Sequence, residues 1–318
     1  MAIAKADLPL AVGPAMSATL GKGGFMFIAT LIAAGNLSGG DISAAQDRLD
    51  EAGCLPAAHV WLDEGFAGDI LFGIEPDAAR GALEGVFPGV DVVVQRAEGR
   101  AKQLLVADMD STMITIECID ELADYAGIKP QIAAVTEAAM RGELDFESAL
   151  DARVALLEGL DEGVIARCLA ERVTIMPGAV ALIRTMKARG ALTILVSGGF
   201  TRFAEPVAGM IGFDRAIANR LEIADGMLTG RVTKPIVGSD TKERTLLEAT
   251  AELGISPEAT LAVGDGANDL AMIRRAGLGV AYHAKPIVAA AAAARIDDND
   301  LTALLYAQGI ARADWVEA

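Results

Sequence analysis

The chain contains several short runs of apolar residues that stop abruptly at glycines or polar side chains. Three of them, Leu104–Ala107, Leu192–Val196 and Thr260–Val263, are apolar almost throughout. A run of this kind is typical of a strand that is buried on both faces, as in a parallel sheet covered by helices. The pattern therefore predicts an α/β core with a doubly wound, Rossmann-like parallel sheet.

Stretches with helical spacing follow the first of these strands, and most of them end at a glycine. They are Cys118–Ala126, Lys129–Arg141, Phe146–Leu157 and Glu162–Arg172. Helices inserted directly after a core strand are well placed to form a cap, which we expect at about 115–175. Further along, Asp225 and Gly226 separate two short apolar runs and predict a hairpin, and Asp240–Leu253 predicts another helix.

The first 95 or so residues show a different order of elements. The predicted strands and helices there are Phe25–Ala34, Ser38–Gly53, His59–Asp63, Asp69–Ile74, Pro76–Val86 and Val90–Val94. This β-α-β-β-α-β order is the ferredoxin-like, split βαβ arrangement. We therefore predict a small α+β domain over 1–95. We expect the chemistry in a second domain over 96–318, because the polar residues of the first do not cluster as catalytic groups do.

Composition and charge exclude several classes of partner. The 318 residues carry a formal net charge of −17, which disfavours nucleic acid and anionic membranes. The apolar stretches Phe25–Gly35 and Ile287–Ala294 fall short of the roughly 20 residues that a membrane span requires. The three cysteines form no C-x-x-C pair and are odd in number, which predicts a protein of the reducing cytoplasm.

Two carboxylates, Asp108 and Asp110, follow the first core strand directly. At the end of a buried strand they repel each other and are costly to bury unless a cation lies between them. Mg²⁺ prefers hard oxygen ligands and is the natural partner for such a pair. For an isolated D-x-D, the alternative is a solvated acidic turn.

The other two core strands also end in polar residues, where ligands of a doubly wound sheet bind. The second ends in Ser197 and Gly198, whose hydroxyl and N–H groups suit an anion. Lys242 lies in the first turn of a predicted helix, where the helix dipole disfavours a cation unless an anion is held nearby. The third strand is followed by Asp265, Asn268 and Asp269. Together these residues offer a nucleophile, an acid/base, a phosphate cradle, a cation and a metal ligand.

The predicted cap contributes further candidates. Phe146 and Arg153 are seven residues apart and share one face of a helix. Such a face suits a pocket for a substrate with a carboxylate group. The alternative for Arg153 is a surface salt bridge, and Glu117 is ambiguous by itself.

With these residues assembled, the chain resembles the haloacid dehalogenase-like phosphohydrolases. The core motifs that match are D-x-D-S-T at 108–112, S-G-G at 197–199, Lys242 and G-D-G-A-N-D at 264–269. Flanking segments resemble the members that act on phosphoserine, and the similarity runs from about 103 to 305. The N-terminal domain is similar in pattern to ACT-like modules that sense amino acids.

The resemblance implies that O-phospho-L-serine is hydrolysed to L-serine and phosphate, the last step of L-serine biosynthesis. Asp108 is then the nucleophile that carries the phosphoryl group, and Asp110 is the general acid and later the base. Mg²⁺ is implied as the cofactor, held by Asp108, the backbone carbonyl of Asp110 and Asp265, with Asp269 as an outer partner. The implied phosphate-binding residues are Ser197, Gly198, Lys242 and Asn268. The implied substrate-binding residues are Glu117 for the ammonium group, Arg153 for the carboxylate, and Phe146 and Met140 for the shape of the pocket.

Two other hypotheses stay open at this point. The same machinery suits a broader phosphomonoesterase or a phosphotransferase to an alcohol. Alternatively, the N-terminal domain could make the chain a regulatory protein that binds an amino acid. A homodimer is a reasonable default.

Overall fold

The computed structural model describes residues 27–317. The N-terminal elements are β1 Phe27–Ala33, α1 Gly39–Glu51, β2 Pro56–Asp63, β3 Ala67–Phe72, α2 Pro76–Leu83 and β4 Val90–Arg96. Their strands form an antiparallel sheet in the order β2-β3-β1-β4. The predicted β-α-β-β-α-β order is confirmed, although Phe25 of the predicted first strand lies outside the described residues.

The rest of the chain folds around a second, larger sheet. Its strands and the hairpin beside it are β5 Leu104–Ala107, β6 Leu192–Phe200, β7 Arg215–Asn219, β8 Leu221–Ala224, β9 Met227–Val232, β10 Thr260–Gly264, β11 Leu278–Tyr282 and β12 Ala294–Ile296. The helices are α3 Cys118–Tyr125, α4 Lys129–Met140, α5 Phe146–Ala155, α6 Gly163–Glu171, α7 Ala179–Ala188, α8 Thr201–Ile211, α9 Ser239–Leu253, α10 Leu270–Arg275, α11 Pro286–Ala289 and α12 Ala303–Ala307. Six strands form a parallel sheet in the order β12-β11-β10-β5-β6-β7, and β8 pairs with β9 as the predicted hairpin.

Strand β5 lies in the middle of the parallel sheet and is buried on both faces. Leu105 and Ala107 pack into one apolar cluster, whereas Leu104 and Val106 pack into another on the opposite face. β5 is hydrogen-bonded to β10 on one side and to β6 on the other. The predicted α/β core is therefore confirmed, and its three predicted strands lie side by side.

The sequence pattern missed some elements and ended one strand too early. Helices α7, α8, α10 and α11 and strands β7 and β12 were not predicted. Pro206 lies inside α8 and removes a backbone donor there. The predicted end of the second core strand at Val196 is wrong, because β6 continues through a register shift against β7 as far as Phe200.

Helices α3 to α6 form an insertion: the chain leaves the core after β5 and re-enters it before α7. The two crossing segments are held together where Ile114 pairs with Ile175 and the Met176 N–H donates to the Met113 carbonyl oxygen at 2.9 Å. The Phe146 side chain reaches across to β6, since a Cβ added at Gly198 would lie 3.1 Å from the Phe146 ring. The inserted helices thus cover the carboxyl ends of the sheet, as predicted for a cap.

Polar contacts join the N-terminal sheet to the core. The Asp91 carboxylate on β4 accepts the backbone N–H groups of Asp297 at 2.8 Å and Asn299 at 3.0 Å. Arg100, between the two sheets, pairs with the buried Asp69 of β3 at 2.5 Å. Within residues 27–317, no helix combines the length and the apolar character needed to cross a bilayer.

Candidate active site

The loop after β5 carries the first candidate group and is tightly turned. The Asp108 N–H donates to the Val263 carbonyl oxygen of β10 at 3.0 Å, which continues the sheet to the last residue before the turn. The Met109 carbonyl oxygen then accepts N–H groups of the turn, among them that of Met113 at 2.8 Å. These backbone bonds fix the position of Asp108 at the sheet edge, where the residue is almost wholly buried.

Lys242 lies behind Asp108 and is completely buried in the first turn of α9. Its Nζ lies 2.6 Å from Asp108 Oδ1 and 2.7 Å from Asp269 Oδ1. Burial opposes the charge on Lys242, but the two carboxylates outweigh it and raise its pKa above the usual value. The anion that the sequence required beside this first-turn lysine is thus a pair of aspartates from the protein itself.

Three carboxylates gather at the same edge of the sheet. Asp108, Asp265 and Asp269 can each place an oxygen within 4.8 Å of the others. Burial, and then the Asp269 charge, raise the pKa of Asp108 well above its usual value and that of Asp265 to about 6. A divalent cation is the partner that relieves such crowding of hard oxygen donors.

The Asp110 carboxyl lies beside this cluster. Its Oδ1 is buried and has no hydrogen-bond partner among the described residues. Burial, and then the Glu117 charge, raise the pKa of Asp110 to about 7. A buried, unpartnered oxygen on a carboxyl group that titrates near neutrality fits a group that gives and takes protons.

The end of β6 faces these carboxylates across the sheet edge. The Ser197 hydroxyl accepts the Gly199 N–H at 2.8 Å, and Asn219 Nδ2 donates to the Gly198 carbonyl oxygen at 2.9 Å. A Cβ added at Gly199 would lie 3.1 Å from Asp110 Oδ2. Gly199 therefore lets this backbone approach the Asp110 carboxylate more closely than a residue with a side chain would.

A cavity of about 380 Å³ separates the cap from the sheet edge. The predicted residues that line it are Asp108, Asp110, Glu117, Phe146, Arg153, Ser197, Gly198, Asp265 and Asn268. Lys242 and Asp269 are held directly behind Asp108. The Met140 backbone ends α4, but its side chain lies outside the part of the chain that the structure describes. The structure thus brings together nearly all the predicted site residues around one cavity.

Two cap residues present charged groups to this cavity. Among residues 27–317 the Arg153 guanidinium makes no ion pair, and its Nε donates to the Ala149 carbonyl oxygen of its own helix at 3.2 Å. Burial lowers the pKa of Arg153 below its usual value. The surface salt bridge that the sequence left open for Arg153 is therefore not formed among these residues. Glu117, at the start of α3, is exposed.

Sequence reasoning missed three polar residues of the site. Lys285 lines the cavity beside Asp265. The Thr112 hydroxyl donates to Asp265 Oδ1 at 3.2 Å, and the Ser111 hydroxyl donates to Glu117 Oε1 at 2.7 Å. The D-x-D-S-T motif contains the last two, but nothing in their spacing shows which carboxylates they reach.

A parallel sheet with a carboxylate-rich edge and an inserted helical cap defines a class of hydrolase. The model of the haloacid dehalogenase-like hydrolase family matches residues 105–274, and the chain belongs to this family. The phosphoserine phosphatase of Streptomyces coelicolor is 48% identical over 250 residues, which cover 77% of this chain and 60% of that protein. The phosphoserine phosphatase of Albidiferax ferrireducens is 49% identical over 208 residues, 64% of this chain and 88% of the relative.

The similarity extends to solved structures. A probable phosphoserine phosphatase from Vibrio cholerae superimposes with a TM-score of 0.73 at 34% identity, covering 93% of this chain and 90% of that one. The resemblance to the haloacid dehalogenase-like family inferred from the motifs is thereby confirmed. The predicted fold class is confirmed with it.

Proposed function

We propose that this protein is a phosphatase that hydrolyses O-phospho-L-serine to L-serine and inorganic phosphate. One observation carries the proposal: Arg153 and Glu117 of the cap line the same cavity as Asp108 and Asp110 of the sheet edge. A cation and a carboxylate that line one cavity match the carboxylate and ammonium groups of an amino acid. The relatives named above, which are phosphoserine phosphatases, support the same substrate.

In the first step, an Asp108 carboxylate oxygen attacks phosphorus and forms an aspartyl phosphate. The bond between phosphorus and the serine oxygen breaks, and Asp110 gives its proton to that oxygen. A pKa of about 7 lets Asp110 hold this proton at neutrality. The products of the step are free L-serine and the phosphorylated Asp108.

In the second step, Asp110 acts as a general base. Its carboxylate removes a proton from a water molecule, whose oxygen attacks phosphorus while the bond to Asp108 breaks. Inorganic phosphate is released, and both carboxyl groups return to their starting states. The cap helices limit access of other water to the aspartyl phosphate.

The residues around Asp108 fit a Mg²⁺ ion. Asp108, the backbone carbonyl of Asp110 and Asp265 would hold it, and Asp269, whose carboxylate lies in the same cluster, would be its outer partner. When bound, Mg²⁺ neutralises the repulsion between the carboxylates and the phosphate. Support for this choice comes from the hard oxygen donors and their crowding.

The phosphoryl group needs donors for the charge on its outer oxygens. We assign this role to the Ser197 hydroxyl, the Gly198 N–H, Lys242 and Asn268, of which Ser197, Gly198 and Asn268 line the cavity. Fixed donors aimed at the oxygens on which charge develops stabilise a phosphoryl group during its transfer. Phe146 and Met140 are assigned to the shape of the pocket around the amino-acid part.

Replacing either charged cap residue is expected to impair phosphoserine far more than a simple ester. Glu117→Gln and Arg153→Ala each remove one charge-assisted contact, so we expect KM for phosphoserine to rise about 10- to 100-fold. The KM for p-nitrophenyl phosphate should change little, because that ester has neither an ammonium nor a carboxylate group. Steady-state kinetics on both substrates measures the difference.

Lys129→Gln is a matched control, because Lys129 is an exposed residue at the start of α4 that does not line the cavity. Equal losses on both substrates in the Glu117 and Arg153 variants would discard the serine assignment. The broader phosphomonoesterase would then be the better description.

We also propose a domain division at 95/96, cap limits of about 115–175, an ACT-like amino-acid site in the N-terminal domain, a homodimer and a cytoplasmic location. Calorimetry on residues 1–95 with L-serine and other amino acids tests the N-terminal site without the catalytic cavity. Absence of heat with all of them would remove the regulatory hypothesis.

A further inference from the structure

Ser111 contacts the segment that leads into the cap at two points. Its hydroxyl donates to Glu117 Oε1 at 2.7 Å, and its backbone N–H donates to the Ile116 carbonyl oxygen at 3.3 Å. The first residue of α3 is Cys118, so Glu117 stands at the start of the first cap helix. One serine of the motif loop thus holds both the backbone and the side chain of this junction.

The backbone of Ser111, which makes these contacts, has an unusual conformation. Its φ angle is +56°, in the left-handed region that residues other than glycine rarely adopt. Residues held in such conformations cluster at functional sites, where the surrounding structure maintains them. The next residue, Thr112, donates its hydroxyl to Asp265 instead. The hydroxyls of Ser111 and Thr112 thus donate hydrogen bonds to two different carboxylates, Glu117 at the cap and Asp265 in the core.

The contact with Ser111 is the main interaction that restrains the Glu117 side chain among the described residues. It is exposed, makes no ion pair among residues 27–317, and accepts no helix-capping hydrogen bond at the start of α3. A free glutamate loses considerable rotamer freedom when it binds a ligand. The Ser111 hydroxyl engages Oε1, and no described residue donates a hydrogen bond to Oε2.

We propose that Ser111 is a positioning residue that fixes Glu117 for the ammonium group of the substrate and thereby contributes to selectivity for an amino-acid phosphate ester. This inference rests on the proposed function and adds a residue to it. Ser111 acts through Glu117 and needs no contact with the substrate. Its removal therefore affects recognition of the amino-acid part more than transfer of the phosphoryl group.

The test is a double-mutant cycle on substrate selectivity. The readout is the kcat/KM for phosphoserine divided by that for p-nitrophenyl phosphate. Ser111→Ala should lower this ratio about tenfold, mainly through KM for phosphoserine, as expected when a hydrogen bond to a charged group is lost. In a Glu117→Gln background, Ser111→Ala should lower the ratio no further, because the group it positions has lost its charge.

Two controls separate the hydroxyl contact from other effects. Ser111→Gly lacks the hydroxyl but adopts the positive φ without strain, so it should lose selectivity as Ser111→Ala does. Thr115→Ala removes an exposed hydroxyl from the same loop, and none of the described residues is hydrogen-bonded to that hydroxyl. It should leave the ratio unchanged.

The outcomes distinguish this inference from the proposed function. If Glu117→Gln lowers the ratio while Ser111→Ala does not, or if the two losses multiply in the double variant, the role of Ser111 is refuted and the function stands. If Glu117→Gln leaves the ratio unchanged, the proposed recognition of the ammonium group fails, and the role of Ser111 fails with it.

Discussion

Replacing Asp108 with asparagine is expected to reduce kcat for phosphoserine by about 10⁴- to 10⁶-fold, the scale seen when a catalytic nucleophile is removed. The amide has the shape of the carboxyl but cannot form an acyl phosphate. Lys242 keeps its partner Asp269 at 2.7 Å, so the fold should persist. Phosphate release measures activity, and circular dichroism verifies folding.

Asp151→Asn is the matched control for Asp108→Asn. Asp151 is an exposed aspartate on α5 that pairs with Lys234 at the surface and does not line the cavity. The same chemical change there should leave kcat unaffected. Retention of more than about 1% of wild-type kcat in Asp108→Asn would contradict the nucleophilic role, given the losses expected for such residues.

Lys242→Met is expected to cause the largest loss of stability. The substitution leaves Asp108 and Asp269 buried without the cation that now lies 2.6 and 2.7 Å from them. Removing one partner of a buried ion pair costs about 3–5 kcal/mol of unfolding free energy. Urea denaturation with a metal chelator present measures the difference from the wild type.

The loss should depend on pH in a defined direction. The pKa of Asp108 is already raised in the protein, and without Lys242 it rises further. A carboxyl whose folded pKa exceeds its unfolded value binds more protons in the folded state, so stability falls as pH rises above about 4. The variant should therefore be less damaged at pH 5 than at pH 8.

Lys234→Met is the control for this experiment. Lys234 pairs with Asp151 at 2.7 Å, but both side chains are about half exposed. A surface pair of this kind contributes at most about 1 kcal/mol. A Lys242→Met protein as stable as the wild type at pH 8 would show that the buried carboxylates do not need this lysine.

The sequence predicted which candidate residues lie together because these residues follow buried strands. Three apolar runs, β5, β6 and β10, end in polar groups, and the rule that ligands bind at the carboxyl ends of parallel strands places them together. Asp108, Ser197 and Asp265 are found there as expected. The ion pairs of Lys242 with Asp108 and Asp269 were not predicted, because they depend on packing that no spacing reveals.

Other features depend on backbone geometry and on contacts between distant segments. The positive φ of Ser111 is not typical of serine, so its contact with Glu117 was not predictable. Helix α8 was not predicted because it contains Pro206, and an internal proline normally argues against a helix. The sequence pattern ended the second core strand at Val196, whereas the pairing of Phe200 with Asn219 extends it past the glycines.

The most direct test of the central claim is phosphate release by the wild-type protein from L-phosphoserine, phosphothreonine and p-nitrophenyl phosphate. It should be run with Mg²⁺ and again after chelation. We predict turnover that is concentrated on phosphoserine and lost on chelation. Comparable turnover of all three substrates would contradict the assigned selectivity, and absence of metal-dependent turnover on any of them would contradict the proposed function.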